Sequence, residues 1–175
     1  ALLRSSRSAW SASGFSSSGA VNFAGSTNIS FDTIPSTLGT TQHLVAGYGT
    51  LAGLGNLVAP AGYRASIIND TPNSKVLLEV TTGTRTWNMT TPGTWNALTD
   101  TAWQESDTLF ANGDAVVFDD TATNGSVTVA GTLSPSSVTF NNTGTAYALT
   151  GSGVIAGSTG ITKNGTGTAS IATNK

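Results

Sequence analysis

The class of fold is decided by residues 116–140, which read Val116-Val-Phe-Asp-Asp-Thr-Ala-Thr-Asn-Gly-Ser-Val127-Thr-Val-Ala-Gly-Thr-Leu-Ser-Pro-Ser-Ser-Val138-Thr-Phe140. Short alternating runs of Val, Thr and aromatic residues suit a pleated, half-buried surface, and Asn-Gly and similar pairs between them predict turns. The runs recur every eleven residues and finally after twelve, at Val116, Val127, Val138, Leu149 and Ile161. This spacing is typical either of an antiparallel β-sandwich or of a solenoid with two or three short strands per coil.

Working outward, strand signals continue through the chain and helix signals are nearly absent. No segment of twelve residues keeps apolar positions at helical spacing without Gly, Pro or Thr interrupting it. We therefore expect an all-β protein. The other strand candidates include Val21-Asn22-Phe23, Ile29-Ser30-Phe31, Val76 to Val80 and Tyr147-Ala148-Leu149.

The composition favours the solenoid. Only 9% of the 175 residues are charged, against about 25% in a typical domain, while 30 Thr, 21 Ser, 21 Gly and 13 Asn make up nearly half of the chain. Like charges on neighbouring strands repel, whereas hydroxyl and amide side chains can bond to one another from strand to strand. Neutral polar residues therefore favour stacked coils, with a β-sandwich as the alternative.

The same composition excludes several classes of function. Seven scattered Lys and Arg give no basic patch, so we expect no nucleic-acid partner. No apolar run reaches the roughly 18 residues that span a bilayer, so we expect no transmembrane segment. The absence of cysteine excludes disulfides, thiolate metal sites and a thiol nucleophile. We also expect no cofactor.

No charged or Pro-rich linker divides the chain. We expect a Ser/Gly-rich arm over residues 1–36 and a β-solenoid domain over residues 37–175. Within that domain, residues 87–103 form a Trp-rich segment and residues 113–175 form the regular coils. The chain begins at Ala1 rather than Met, which suggests a processed or trimmed product.

The second half resembles a bacterial family. The resemblance is carried by Trp87-Asn88, Gly93-Thr94-Trp95, Thr101-Ala102-Trp103, Phe110-Ala-Asn-Gly-Asp-Ala-Val-Val-Phe-Asp-Asp120, Val127-Thr-Val-Ala-Gly131, Pro135-Ser-Ser-Val-Thr-Phe-Asn-Asn142, Tyr147-Ala-Leu-Thr-Gly-Ser-Gly153 and Ile161-Thr-Lys-Asn-Gly-Thr-Gly-Thr168. These motifs are similar to those of the autotransporter-associated β-strand repeat proteins, also called passenger-associated transport repeat proteins. Lys163-Asn-Gly-Thr-Gly-Thr168 resembles the start of that repeat, and the chain stops partway through it.

The resemblance implies a right-handed parallel β-helix that is secreted to the cell surface, in a family that usually has no known enzymatic activity. It covers about half of the chain well and residues 37–86 more loosely. Family members carry several repeats, whereas this chain has about one repeat start and no recognisable translocator barrel.

Three tryptophans, Trp87, Trp95 and Trp103, follow one another at eight-residue spacing. The spacing coincides with turn-separated strands, so burial in the core is the favoured interpretation. The alternative is an exposed platform that stacks on sugar rings, which would make the chain a carbohydrate-binding module.

Acidic residues are the other candidates for chemistry. Asp114, Asp119 and Asp120 could ligate calcium or act as paired acids of a polysaccharide lyase, but neighbouring side chains on a strand point to opposite faces. Capping of turns is the favoured role. The single histidine, His43, flanks a strand, and no Gly-x-Ser-x-Gly nucleophile elbow accompanies it. We expect no catalytic residues and no metal site.

The arm suggests assembly. Its apolar residues lie among Ser and Gly, and an arm strand that pairs with the open edge of a neighbouring subunit would build a fibre. The alternative is that the arm caps its own solenoid. The candidate pairing residues are Trp10, Phe15, Val21, Phe23, Ile29 and Phe31.

The sequence as a whole predicts an extracellular or cell-surface structural or adhesive protein that is not an enzyme. Its expected partners are copies of itself and, as a further option, surface polysaccharide. Self-assembly into fibres would proceed through end-to-end pairing of β-strands.

Overall fold

A computed structural model describes residues 2–5, 15–16, 20–23, 27–31, 42–46, 48–157 and 160–174, with side-chain surroundings for residues 21–23, 48–157 and 160–174. Two single-turn 3-10 helices, Leu54–Asn56 and Thr71–Asn73, are the helical elements of these residues. The prediction of an all-β protein is confirmed. The strands are β1 Leu2–Ser5, β2 Phe15–Ser16, β3 Ala20–Asn22, β4 Thr27–Phe31, β5 Gln42–Ala46, β6 Thr50–Ala52, β7 Leu57–Val58, β8 Ala65–Asp70, β9 Lys75–Val80, β10 Thr84–Thr86, β11 Gly93–Trp95, β12 Ala115–Phe118, β13 Ser126–Val129, β14 Thr132–Leu133, β15 Ser137–Phe140, β16 Tyr147–Thr150, β17 Val154–Ile155, β18 Ile161–Lys163 and β19 Ala169–Ile171.

The chain divides into two compact units, an amino-terminal unit of residues 1–81 and a carboxy-terminal unit of residues 82–175. We expected a boundary between arm and solenoid at residues 36/37, whereas the observed division lies between residues 81 and 82. The reason is that strands of the expected arm pair with strands that follow residue 37, so the arm is part of the amino-terminal unit.

The amino-terminal unit begins with parallel pairs at one constant offset. Phe15 pairs with Val45, Ala20 with Thr50, and Thr27 with Leu57, so each partner lies thirty positions further along the chain. The strand β1 adds a third parallel strand beside β4. A constant offset over three separate strand pairs means that this part of the chain runs twice through the same path.

A β-hairpin follows these parallel strands. The strands β8 and β9 pair antiparallel through the turn at Thr71–Asn73, and β9 also pairs antiparallel with β5, with an irregularity between His43 and Val45. Alternate residues of β9 are buried, and Val76, Leu78 and Val80 form the core of this unit with Val21 and Leu57.

The carboxy-terminal unit contains three sheets whose named strand pairs are all parallel. Their strand orders are β10-β12-β15-β18, β11-β13-β16-β19 and β14-β17. Ala115 pairs with Ser137, Val127 with Leu149, and Thr132 with Val154, so one strand pair in each sheet has the same offset of twenty-two positions. The offset is larger, 31 and 34 positions, for the first pairs β10-β12 and β11-β13. The chain therefore contributes one strand to each of the three sheets in turn and then returns to the first sheet, where it adds the next strand. We call each such circuit a coil.

This shared offset explains the eleven-residue rhythm of the sequence. The recurring apolar positions alternate between two sheets, so every second one of them lies in the same sheet. Val116 stacks beside Val138, and Val127 beside Leu149, with all four buried. Strand alternation turns these side chains inward while the residues between them face outward.

The turns between strands leave no room for side chains where one coil passes the next. A Cβ atom placed on Gly125 would lie 2.1 Å from the Ala146 carbonyl oxygen, and one on Gly165 would lie 2.0 Å from the Asn142 carbonyl oxygen. At both positions the neighbouring atom is backbone and cannot rotate away. The Asn-Gly pairs of the sequence that contain these glycines therefore mark places of close contact between backbones.

Candidate functional site

The three tryptophans form the aromatic core of the carboxy-terminal unit. The ring centroid of Trp103 lies 5.3 Å from that of Trp87 and 5.8 Å from that of Trp95, in edge-to-face arrangements. Phe110 lies 5.3 Å from Trp95, and Phe118 contacts all three indoles. Such pairs stabilise a core beyond the area that they bury.

These rings offer no surface to a sugar. Trp87, Trp95 and Trp103 are at most 3% exposed, so the alternative of a carbohydrate-stacking platform does not fit their positions. The physical reason is the register: Trp95 pairs with the buried Val129 and faces inward with it. The Trp87 indole donates to the Asn124 carbonyl oxygen at 3.2 Å.

In the sheet β10-β12-β15-β18, the edge formed by β10 is covered by residues 102–105. The Gln104 backbone N–H donates to the Thr86 carbonyl oxygen at 2.9 Å, and Trp87 and Trp103 form an antiparallel bridge. The Glu105 carboxylate accepts the Thr86 N–H with its two oxygens at 3.0 and 3.1 Å. The outer backbone groups of Thr86 are thereby satisfied, and this edge is closed to a further strand.

A buried arginine holds the segment that leads into β12. The Arg85 Nε lies 3.2 Å from the Asp114 carboxylate, and the Arg85 Nη2 lies 3.2 Å from the Asp107 carboxylate. Asp114 also accepts the backbone N–H groups of Gly83 and Ala111 at 2.7 and 2.9 Å. With its oxygens engaged by these donors, Asp114 serves the structure rather than a calcium ion.

The adjacent Asp119 and Asp120 each hold a turn. Asp119 accepts the Thr121 N–H at 2.8 Å, whereas Asp120 accepts the N–H groups of Thr143, Gly144 and Thr145 in the following coil at 2.9–3.1 Å. The bonds from Thr145 and Thr143 hold the pKa of the Asp120 carboxyl below its usual value. Asp120 thus ties successive coils together.

No metal-binding cluster is found among the described residues. They contain no group of three or more His, Cys, Asp or Glu side chains placed to hold a metal ion. His43 lies in β5, and its side chain is outside the described side chains. Nor does the described part of the chain include a helix of sufficient length and apolarity to cross a membrane.

The last coil of the carboxy-terminal unit ends in an open edge. The strands β18 and β19 each have one strand neighbour among the described residues, and Ile171 continues the inward row formed by Val127 and Leu149. Leu149 is 0% exposed, whereas Ile171 is 39% exposed. Ile171, a side chain of the inward row, is therefore partly exposed at the edge of the described strands.

Backbone donors are directed outward at the same edge. The Ala172 N–H donates to the Leu149 carbonyl oxygen at 2.8 Å. Because successive N–H groups of a strand point to opposite sides, the Ile171 N–H points away from β16. This edge combines outward backbone groups with an exposed apolar side chain, which are the features that attract another strand.

The described residues of the expected pairing arm are built into the amino-terminal unit. Val21 is buried and Phe23 packs against the same core, while Phe15, Ile29 and Phe31 lie in β2 and β4, which pair with strands of their own chain. Trp10 lies outside the described residues. The strands β2 to β4 are therefore paired within their own chain rather than donated to a neighbour.

The sequence predicted open edges at the ends of a solenoid but did not place one at Ile171, although a signal for that position exists. Three segments that begin at positions 116, 138 and 161 align with one another: Val116-Val-Phe-Asp-Asp-Thr121, Val138-Thr-Phe-Asn-Asn-Thr143 and Ile161-Thr-Lys-Asn-Gly-Thr166. The third replaces the buried aromatic residue of the first two with the exposed Lys163. That substitution distinguishes the terminal coil from the interior ones.

Comparison with known proteins gives no match to a protein-family model, to a curated protein or to a solved structure.

Proposed function

We propose that the chain is a structural or adhesive protein of the cell exterior that assembles end to end. In this proposal the carboxy-terminal unit is a right-handed parallel β-helix, and the open edge of β18 and β19 is the growing surface. The observation that carries the proposal is the pair of exposed edges at β18 and β19, the last strands of the two four-stranded sheets, whereas the edge of β10 is covered.

The register of the strands supports a β-helix rather than a sandwich. A sandwich of hairpins has antiparallel neighbours, whereas the strand pairs β10-β12, β12-β15 and β15-β18 are parallel. The offset between partners is 31 positions for β10-β12, 22 for β12-β15 and 23 for β15-β18. Sheets that each gain one parallel strand per circuit of the chain are what successive coils of a β-helix produce. The handedness follows the rule for parallel crossover connections, which are right-handed in almost all proteins.

The covered first edge gives the assembly a direction. Residues 102–105 and the Glu105 carboxylate occupy the edge of β10, so the open edge of another copy has no place to pair there. In the amino-terminal unit, β1, β2 and β3 each have a single strand neighbour among the described residues. We propose that β18 and β19 of one copy pair with the unpaired sides of these strands in the next copy, a heterologous contact between copies.

Location and surface role rest on the resemblance and the composition. The autotransporter-associated repeat proteins, which the second half of the chain resembles, are secreted to the cell surface. A surface rich in Thr, Ser and Asn and poor in Lys and Glu offers few sites to proteases that cleave at charged residues. We keep adhesion to a surface polysaccharide as an additional proposed role. Residues other than the buried Trp87, Trp95 and Trp103 would then make the contact.

The decisive experiment replaces Ile171 with proline. Ile171→Pro removes an N–H that is directed away from β16, so it blocks strand addition without breaking a backbone bond inside the chain. We expect the wild-type protein to form filaments in negative-stain electron microscopy at high concentration, and Ile171→Pro to remain unassembled with an unchanged circular dichroism spectrum.

Ile171→Val is the matched control, because it keeps both the N–H and an apolar side chain at the same place. It should assemble like the wild type. A wild-type protein that sediments as a monomer at its highest soluble concentration contradicts the proposal, and so do filaments of Ile171→Pro that are as long and as numerous as those of the wild type.

A further inference from the structure

The hairpin strand β8 forms a second open edge among the described strands of the amino-terminal unit. It is the last strand in the sheet order β2-β5-β9-β8, and it pairs over its full length of six residues with β9 on its inner side. Ile68 on this strand is 38% exposed. A Pro, a Lys or a β-bulge usually prevents pairing at an edge strand. The strand β8 has neither Pro nor Lys, and its register with β9 has no irregularity.

The backbone groups that point outward from β8 follow from its bonds to the neighbouring strand. The Thr81 N–H donates to the Arg64 carbonyl oxygen at 2.9 Å, so Arg64 and every second residue after it direct their backbone groups toward β9. The alternate residues Ala65, Ile67 and Asn69 therefore direct theirs outward. An incoming strand has three residues to which it can bond.

A second copy of β8 fits this pattern. When two β8 strands run antiparallel with Ile67 opposite Ile67, Ala65 lies opposite Asn69, so outward groups meet outward groups throughout. The same register places Arg64 opposite Asp70 at both ends of the pair. Opposite charges directly across an antiparallel pair stabilise it, and like charges there destabilise it.

The side chains concerned share the outer face of the strand. Ala65 and Ile67 pack against the core, so Arg64, Ser66, Ile68 and Asp70 lie on the other face. The Arg64 Nη1 donates to the Thr81 carbonyl oxygen at 3.3 Å, Asp70 accepts the Asn73 amide, and Lys75 is the cross-strand neighbour of Asp70 on β9. The Asp70 carboxylate of one copy would thus have Lys75 on one side and the Arg64 of the second copy on the other.

We propose that β8 mediates a symmetric homodimer, in which two hairpins join into one continuous antiparallel sheet. The axis of symmetry passes beside Ile67, and the two Arg64–Asp70 pairs fix the register. This contact uses a strand other than those of the assembly proposed above. A single pair of six-residue strands buries less than the roughly 1,200 Å² of a standard interface, so the dimer is weak and depends on concentration.

A charge exchange tests the register. Arg64 and Asp70 are six residues apart on one strand, a separation of about 20 Å, so they cannot form an ion pair within one chain. We expect Arg64→Asp alone and Asp70→Arg alone to weaken the dimer about tenfold, because each places like charges at both ends. The double variant with both changes should restore dimerisation, and only a contact between chains can produce that rescue.

The readout is sedimentation velocity over a concentration series, with circular dichroism to verify folding. The tests are made in the Ile171→Pro background, which removes end-to-end assembly and keeps the two proposals distinguishable. Ile67→Pro, which deletes an outward N–H, should abolish the dimer, whereas Ile67→Val should retain it. A protein of this background that stays monomeric, or a double variant as weak as the single ones, overturns the proposal.

Discussion

Two adjacent aspartates show how position decides the role of a residue in this fold. Asp119 holds a turn two residues away, whereas the carboxylate of Asp120 reaches into the next coil and accepts three backbone N–H groups there. Those donors stabilise the charged form of Asp120, which lowers its pKa. The same side chain therefore links the coils more strongly when it is ionised than when it is protonated.

Removing this link has an effect that depends on pH. A carboxyl whose pKa is lowered by folding stabilises the folded state above its unfolded pKa of about 3.9 and loses that contribution as pH falls through the folded value. We expect Asp120→Ala to have a lower thermal midpoint than the wild type at pH 7, and the difference to shrink as the pH falls below 4.

The matched control is Asp100→Ala, because the Asp100 carboxylate accepts one long hydrogen bond of 3.5 Å from the neighbouring Thr99. Its midpoint should follow that of the wild type. A difference for Asp120→Ala that stays constant from pH 7 to pH 2 would show that the carboxylate does not act through its charge.

At the scale of elements, the two edges of the sheet β10-β12-β15-β18 differ. The edge of β10 is closed by an antiparallel backbone segment and by one carboxylate, whereas the edge of β18 is left without a described neighbour. Strand edges with unpaired backbone groups recruit other chains, so the covered edge limits pairing to one end.

The Glu105 carboxylate is the part of this cover that mutation can remove. We expect Glu105→Ala to leave the Thr86 N–H without its acceptor, to lower the free energy of unfolding by about 1–3 kcal/mol, and to accelerate hydrogen exchange at the Thr86 amide. Gln104→Ala is the control, because residue 104 contributes its backbone to the cover. Unchanged exchange at Thr86 in Glu105→Ala would mean that the backbone segment alone closes the edge.

At the scale of the whole molecule, the chain forms two compact units with separate cores. One core contains Val76, Leu78 and Val80, and the other contains the aromatic cluster together with the stacked aliphatic rows. Both cores come from alternating strands, but the first unit includes a hairpin, whereas the named strands of the second pair only in parallel. Each unit therefore has its own source of stability.

Two core substitutions distinguish the units. Leu78 and Leu149 are both fully buried, one in each core, and replacing a buried Leu by Ala costs about 2–5 kcal/mol. We expect calorimetry of the full chain to resolve two transitions, with Leu78→Ala lowering one and Leu149→Ala lowering the other. A single transition that both variants lower equally would show that the chain unfolds as one cooperative block.

The sequence by itself determined that the protein is all-β, that its strands are short and poor in charge, and that Asp119 holds a turn. These features depend on local alternation, on turn residues and on charge, which are properties of neighbouring residues. The tryptophans were also expected in the core, because their spacing matches that of the strands.

Only the tertiary structure decided which strands are neighbours. The eleven-residue rhythm is shared by hairpins and coils, and the parallel offsets that join Ala115 to Ser137 and Phe15 to Val45 are long-range properties that no local pattern contains. The same holds for the inclusion of the described strands of residues 1–36 in the first unit, the closed edge at Glu105 and the open edges at Ile171 and β8. Exposure of an edge depends on what the rest of the chain covers, so it appears only once the whole chain is folded.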